Sequence, residues 1–570
     1  MLTLDRLQCL GEALRDAMVT YKSNIALIEA DRKRESARLT YREVRAEALR
    51  ITALLQQYQV RPGDRCAILM SNQSKWLISA AGALWTGATL VPLDYKLTAP
   101  EQLALMLHCQ PRALIIEYPV WRKLRELDLS GLAQTNILVT EAPDSDTLPA
   151  AVRWETSPGQ APEEVDGQRD DVACVVYSSG TGGTPKGCQL THQNYLAQAQ
   201  VLGRMYPMAE SDRYFSILPT NHAIDFMCGF LVPFLMGAAV VHQRTLRPQF
   251  LGPTMKKYEV SHMALVPMLL KTLESRIRDA LDELPSAQRQ VIDTLIKVND
   301  YATRREPNHA LSSRILKPLH DRFGGRLKYI FCGGAFVDRG PAEFFYRIGI
   351  PVAIGYGLTE AGTVLTVNDL KPFRGDTVGK PVQGTQIEIR HPNEEGVGEV
   401  WAKGPTVMKG YLDEPELTND AIIDGWLRTG DLGQFDPSGH LKLRGRAKNM
   451  IVTEGGKNIY PEDIEAAFDG LAGCEEFAVF AANYIWPAAT MTGEQLTAVL
   501  RPAAGEAITS ECLDDLRIRN GRLADFKRVT SYIVWSEEFP RTASLKVKRN
   551  VLSRHIAEAM TRDSLKELAQ

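Results

Sequence analysis

The sequence predicts an α/β protein in two parts: a large N-terminal domain of parallel-rich sheets with covering helices, then a small α+β C-terminal domain. Three observations predict it. The chain has 570 residues, more than one hydrophobic core supports, so at least two domains are expected. Up to about residue 440, an amphipathic helix, a turn and a short β-rich run recur in that order, the pattern of a parallel sheet with crossover helices. After Lys448 the rhythm changes to the short strands and helices of a compact module. The boundary this implies separates domain 1–446 from domain 447–570.

Near the N-terminus, Thr40-Tyr-Arg-Glu43 reads as a capping box opening a helix whose Val44, Ala48, Ile51 and Leu55 share one face. Arg61-Pro-Gly-Asp64 ends that unit, and 66–70 is a buried strand. A helix over 75–85 and a strand at 89–91 complete a strand–helix–strand unit. Further buried runs stand at 114–116, 172–177, 214–218, 238–242, 327–332 and 351–356. The charged segment 271–319 reads as long helices elaborating the α/β core, with Val291, Leu295, Val298 and Ala302 as its apolar stripe. In the C-terminal module, helices are expected near 461–468 and 511–519, and strands near 477–481, 496–500 and 532–535.

Composition excludes several classes. Net charge is −3 from 66 basic and 69 acidic residues, which gives no long-range attraction to nucleic acid or anionic lipid. The most apolar stretch, 223–241, contains Asp225, Pro233 and Gly237. Its charge-free run, Phe226 to Val241, is too short to span a bilayer comfortably, and the stretch reads as a buried helix running into a strand, so no integral membrane segment is expected. Nine scattered cysteines without a CxxC pair argue against a disulfide framework or zinc site and for a reducing, cytoplasmic setting. The N-terminus lacks the apolar core of a secretory signal.

Four motifs carry the chemistry. The first is Tyr177-Ser-Ser-Gly-Thr-Gly-Gly-Thr-Pro-Lys-Gly187, directly after a strand. Its glycines Gly180, Gly182 and Gly183 free backbone N–H groups to surround phosphate oxygens. Ser178, Ser179, Thr181 and Thr184 add hydroxyls, and Lys186 adds a point charge. It is not a Walker A loop, because Lys186 lies between Pro185 and Gly187. The second is Gly355-Tyr356-Gly357-Leu358-Thr359-Glu360, again after an apolar strand. Ligands of open parallel sheets bind at the carboxyl ends of strands, where Thr359 and Glu360 would suit a magnesium–phosphate complex. The third is Trp426-Leu-Arg-Thr-Gly-Asp431 with Leu443-Arg-Gly-Arg446-Ala-Lys448. Asp431 would accept from ribose hydroxyls and Arg446 would reach phosphate or ribose. The fourth is Pro540-Arg-Thr-Ala-Ser-Leu-Lys546-Val-Lys-Arg549. Each alone is also compatible with a solvated turn or a surface ion pair.

Taken together, in this order and spacing, the four motifs resemble the superfamily of acyl-CoA synthetases, peptide-synthetase adenylation domains and luciferases, and the likeness covers essentially the whole chain. The resemblance implies a mobile C-terminal domain closing on a nucleotide site. The 178–187 loop would bind the phosphates of ATP. Gly333, Gly334, Ala335 and Tyr356 would frame the adenine, Thr181 and Glu360 would serve Mg2+, Asp431 and Arg446 would hold the ribose, and Lys448 would be the hinge. Lys546 matches the catalytic lysine. Leu545 stands where the usual pattern has glycine, a departure that long-chain acyl-CoA synthetases commonly share. Gly455 and Gly456 would line a thiol channel for coenzyme A.

The activity implied by the resemblance is ATP-dependent activation of a carboxylic acid as acyl-AMP, then transfer to the coenzyme A thiol. The 271–319 segment and the Leu-Lys-Val-Lys form of the last motif resemble long-chain fatty acyl-CoA synthetases, so a medium-to-long-chain fatty acid is expected behind 355–359. His222 matches a position near the acyl entrance; as a lone histidine it equally fits a structural role. The alternatives are a separate acyl-carrier protein as acceptor, a non-fatty acid, or an inactive nucleotide- or acyl-binding protein.

Overall fold

The computed structural model describes every residue except 1–2, 179–184, 453–457, 487–494, 504, 542–546 and 569–570, and the backbone alone at 248, 452 and 458. The described chain divides into two compact units. One comprises 3–178, 185–387 and 402–427; the other comprises 388–401 and 428–568. The expected cut at 446/447 falls inside the second unit.

The first unit carries a nine-stranded and an eight-stranded sheet. In the nine-stranded sheet, Val352–Tyr356, Tyr329–Gly333, His262–Leu265, Arg213–Ser216, Ala239–Gln243 and Ile25–Asp31 run parallel. Antiparallel neighbours flank them at Arg34–Thr40 and Thr366–Val367. In the eight-stranded sheet, Val172–Ser178, Thr89–Pro92, Arg65–Leu69, Ala113–Glu117, Asn136–Thr140 and Val152–Arg153 are parallel. Strands covered on both faces need continuous apolar runs, and Cys66, Ala67, Ile68 and Leu69 are all fully buried.

The helix Tyr41–Gln57 opens on the expected capping box. Thr40 N donates to Glu43 Oε2 at 2.7 Å, and Glu43 N returns a bond to Thr40 Oγ1 at 3.3 Å. Its Val44, Ala48, Ile51 and Leu55 are fully buried, the larger of them contributing about 1.5–3 kcal/mol each. The 223–241 stretch is a short helix, a π-helical turn Phe226–Leu231, a second short helix and the strand Ala239–Gln243. Among the described residues no helix is long and apolar enough to cross a membrane.

One expectation is corrected. In the helix Ser286–Thr303 the stripe Val291, Leu295, Val298, Ala302 is only in part the packed face: Leu295 packs against the core, but Val291 is 60% and Val298 49% exposed, and Ala302 is exposed. Ile292, Ile296, Asn299 and Thr303 face inward instead. Two polar residues can occupy that face because they are hydrogen-bonded. Asn299 donates to the Arg347 carbonyl at 2.9 Å, Thr303 Oγ1 donates to the Asn299 carbonyl at 2.8 Å, and the Tyr346 hydroxyl donates to the Thr303 carbonyl at 3.0 Å. A reading by hydrophobicity misplaces a helix face when hydrogen-bonded polar groups line part of the buried one.

In the second unit, Glu476–Ala481, Leu496–Arg501, Ser531–Val534 and Lys566–Glu567 form a four-stranded sheet. Val479 and Leu500 pack with helices Pro461–Phe468 and Ser510–Gly521, while Phe480, Val499 and Ile533 pack with helix Arg549–Ala559. This is the two-period alternation of a strand covered on both faces by different elements.

Candidate active site

Ser178, Gly333 and Tyr356 are each the last residue of their strand, so the expected site residues of the first unit gather at carboxyl strand ends. Ser178 pairs in antiparallel register with Lys186, and Tyr177 with Gly187. The glycine-rich loop therefore joins two strands of a hairpin, where a Walker A loop would lead into a helix. A Cβ on Gly187 would stand 2.9 Å from Val175 Cγ1, so the return strand is packed against its partner's side chains.

Glu360 lies on the turn Thr359–Ala361 that follows Val352–Tyr356. Its Oε1 accepts from Ser178 Oγ at 3.1 Å and from the Tyr411 hydroxyl at 3.2 Å. The turn itself is held by Met408 N donating to the Glu360 carbonyl at 2.9 Å. Tyr411 stands on Gly410–Tyr411, which pairs with Lys186–Thr191, and Lys186 Nζ lies 5.0 Å from its ring centroid. One tyrosine thus contacts both the carboxylate and the lysine that the motifs singled out. Sequence reasoning missed it. A lone Gly-Tyr pair carries no local signal, and its partners are 51 and 225 residues away in the chain.

The loops between these strands are tightly fitted. Gly333 is in register with Gly355, and Gly334 takes φ +84°, a conformation that favours glycine. A Cβ on Gly357 would fall 1.9 Å from the Thr363 carbonyl oxygen. Thr363 Oγ1 donates to the Ala223 carbonyl at 3.1 Å, and Ile224 Cδ1 is the nearest atom to where a Gly334 Cβ would stand. The segment carrying His222 is therefore brought against the 333–335 and 357–363 loops. His222 Nε2 stands 3.8 Å from Asp94 Oδ2. Burial holds the imidazole below its usual pKa, against the pull of Asp94.

Behind His222, Asp225 is fully buried. It accepts from Ser216 Oγ at 2.7 Å, Thr220 Oγ1 at 2.9 Å and the Tyr214 hydroxyl at 3.4 Å. Asn72 Nδ2 donates to Ser216 Oγ and to the Leu218 carbonyl, and Asn72 Oδ1 accepts from Thr220 N at 2.9 Å. This network pins the segment leading to His222.

In the second unit, Asp431 and Arg446 are paired across adjacent strands, with Nε 2.7 Å from Oδ1. Thr429 Oγ1 donates to the Val400 carbonyl at 2.7 Å and accepts from Asp431 N at 3.1 Å. Lys448 lies on the single turn Ala447–Asn449 after that strand. Burial, then the charges of Arg446 and Arg549, hold its ammonium below the ordinary lysine pKa. Ser179, Gly180, Thr181, Gly182, Gly183, Thr184, Gly455, Gly456 and Lys546 lie outside the described residues.

The donor set fits magnesium. Glu360 presents hard carboxylate oxygen, with Oε1 oriented by two hydroxyls and Oε2 without a partner among the described residues. No described group of three or more His, Cys, Asp or Glu is arranged to hold a metal. Magnesium held through one or two carboxylates and substrate phosphates needs no such cage.

A family model for AMP-binding enzymes matches residues 14–412. A chloroplastic long-chain-fatty-acid–acyl-carrier-protein ligase of Arabidopsis thaliana is 26% identical over 532 residues, covering 80% of this chain and 72% of its own. A feruloyl-CoA synthase of Amycolatopsis is 27% identical over 524 residues, covering 90% and 94%. The O-succinylbenzoate coenzyme A synthetase of Bacillus subtilis, solved with ATP and magnesium ion, shares the fold at TM-score 0.72 and 24% identity, over 95% of this chain and 98% of its own. The hairpin loop, the carboxylate turn and the family match over most of the chain agree, and the protein belongs to the AMP-binding enzymes, a family of the adenylate-forming superfamily.

Proposed function

We propose that this protein activates a medium-to-long-chain fatty acid with ATP as acyl-AMP and transfers the acyl group to the thiol of coenzyme A. The observation that carries the reading is the hydrogen bond from Ser178 to Glu360, which joins the phosphate-loop hairpin to the carboxylate turn across 182 residues. The 178–187 loop, Thr181 included, would cradle the triphosphate. Gly333, Gly334, Ala335, Gly355, Tyr356 and Gly357 would frame the base, and Asp431 with Arg446 the ribose. Glu360 and Thr181 would hold magnesium, which when bound would supply charge neutralisation between two anions that must approach each other.

Lys186 adds positive charge on the phosphate side, and Lys546 would bridge the acid's carboxylate and the α-phosphate. The carboxylate oxygen attacks the α-phosphorus, the bond to the bridging oxygen breaks, and pyrophosphate leaves. The thiol then attacks the acyl carbonyl carbon, loses its proton to solvent and displaces AMP. Domain 447–570 would turn about Lys448 between the two steps, and Gly455 and Gly456 would border the thiol's path. His222 and the 357–363 loop would flank the acyl chain.

The test is pyrophosphate release across a panel of carboxylic acids, with coenzyme A, with acyl-carrier protein, and with neither. Long-chain acids with coenzyme A should turn over best. Preference for carrier protein, in line with the Arabidopsis relative, or for an aromatic acid, in line with the feruloyl-CoA synthase, would replace that part of the reading. Lys546→Ala should lower adenylation by about 10²–10³-fold, the effect of removing one oriented charge-stabilising group. Unchanged exchange would reject the role of Lys546.

A further inference from the structure

Helices Pro267–Asp282, Ser286–Thr303 and Lys317–His320 border a cavity of about 490 Å3. Leu281, Leu284, Val291, Ile292 and Leu319 line it, with Arg322. Its size falls within the roughly 300–1,000 Å3 of small-ligand sites, which recur between helices. No lining residue belongs to the loops that follow Ser178, Gly333 or Tyr356.

Two features define what would bind. The wall is almost wholly apolar and includes Val291, 60% exposed on the outward stripe of its helix. Leu281 and Leu319 form its buried floor, and Gln288 and Arg322 are its polar lining residues, too few for the many hydroxyls of a sugar or nucleotide, which would be left without partners. The second feature is charge. Neighbouring cations are paired, Lys317 with Asp321 at 2.6 Å and Arg289 with Asp282 at 2.9 Å. Arg322 is exposed and makes no ion pair or hydrogen bond with any described residue. A guanidinium with free donors beside an apolar cavity suits one carboxylate on an alkyl chain.

We propose that this cavity is a second, non-catalytic site for a long-chain carboxylate, with the chain against Val291 and Leu319 and the carboxylate on Arg322. The site does not depend on which acid the protein activates.

The experiment uses the full chain without nucleotide and a diazirine-bearing palmitate, with labelled peptides mapped by mass spectrometry. Saturable labelling of 281–292 and 318–322 is expected. Val291→Glu should weaken it at least ~10-fold, or ~1.4 kcal/mol. Arg322→Glu should weaken palmitate binding but leave hexadecanol unaffected. Both positions are exposed, and thermal melts check that the variants fold. Absent or non-saturable labelling of these peptides would overturn the proposal, as would labelling confined to peptides around Glu360 or an equal response of acid and alcohol. A dimer in gel filtration that Val291→Glu dissociates would also overturn it, since a second copy would then cover the patch. Acid-dependent pyrophosphate exchange should persist in both variants, which separates this site from the catalytic reading; its loss would count against the proposal.

Discussion

Asp225 offers a quantitative test of the architecture beside the acyl segment. Burial pushes its carboxyl up to about 7, from an ordinary value of 3.8, against hydrogen bonds from Ser216, Thr220 and Tyr214 that pull it down. A gap of about three pH units, at 1.36 kcal/mol per unit, makes roughly 4 kcal/mol. The sign depends on which state keeps the proton. Below the unfolded pKa both states hold it and the contribution is fully present. As pH rises, the unfolded chain releases the proton while the folded chain retains it, so stability falls until pH passes the folded pKa. Asp225→Asn cannot titrate. Between pH 5 and 8 the unfolding free energy of the variant, relative to the natural protein, should therefore rise by roughly 3 kcal/mol. Other groups cancel in that difference. The nearest, Tyr214 and Cys228, are themselves pushed up, Cys228 to about 12, and stay outside the window. Urea unfolding followed by tryptophan fluorescence reads it, because Trp76 is fully buried and its ring lies 5.9 Å from Phe226 and 6.3 Å from Phe230. A difference that stays constant within about 0.5 kcal/mol over this range would refute the assignment of a desolvated, titrating carboxyl.

Tyr411→Phe removes one of two hydroxyls on Glu360. Allowing for the partial exposure of that carboxylate, about 1 kcal/mol is lost, and a magnesium titration of pyrophosphate exchange should shift about 5-fold upward; an unmoved midpoint would exclude an orienting role. Ile296→Ala should cost roughly 2–3 kcal/mol and Val298→Ala less than about 0.5 kcal/mol, as judged by denaturant midpoints. The reverse ranking would restore the outward stripe as the packed face. Gly357→Ala forces a Cβ to within 1.9 Å of the Thr363 oxygen and should cost at least ~2 kcal/mol in thermal unfolding. Gly252→Ala, in the helix Pro248–Lys257 with open space around it, is the control and should be neutral or stabilising.

Much of the site was legible because its signals are local. A parallel strand buried on both faces must be an apolar run, and a loop that can approach phosphate must free its backbone with glycine, so Ser178 and Glu360 could be placed just after strands, and Lys186 in the glycine-rich loop, from their neighbours alone. Tyr411 could not, since nothing within its own turn announces a carboxylate from another strand. Asp225 was read as a charge interrupting an apolar stretch; its network draws on Asn72, 153 residues earlier.

By itself, then, the sequence determined the α/β class, the place of many buried strands along the chain and the motif set of an AMP-binding enzyme, because periodicity and turn chemistry act over a few residues. Only the tertiary structure decided which hydroxyls orient Glu360, which face of Ser286–Thr303 is buried, and how far Asp225 is removed from water. Those properties depend on what distant segments bring to the same place: hydrogen-bond partners for polar groups on a buried face, and walls that exclude solvent from a carboxyl.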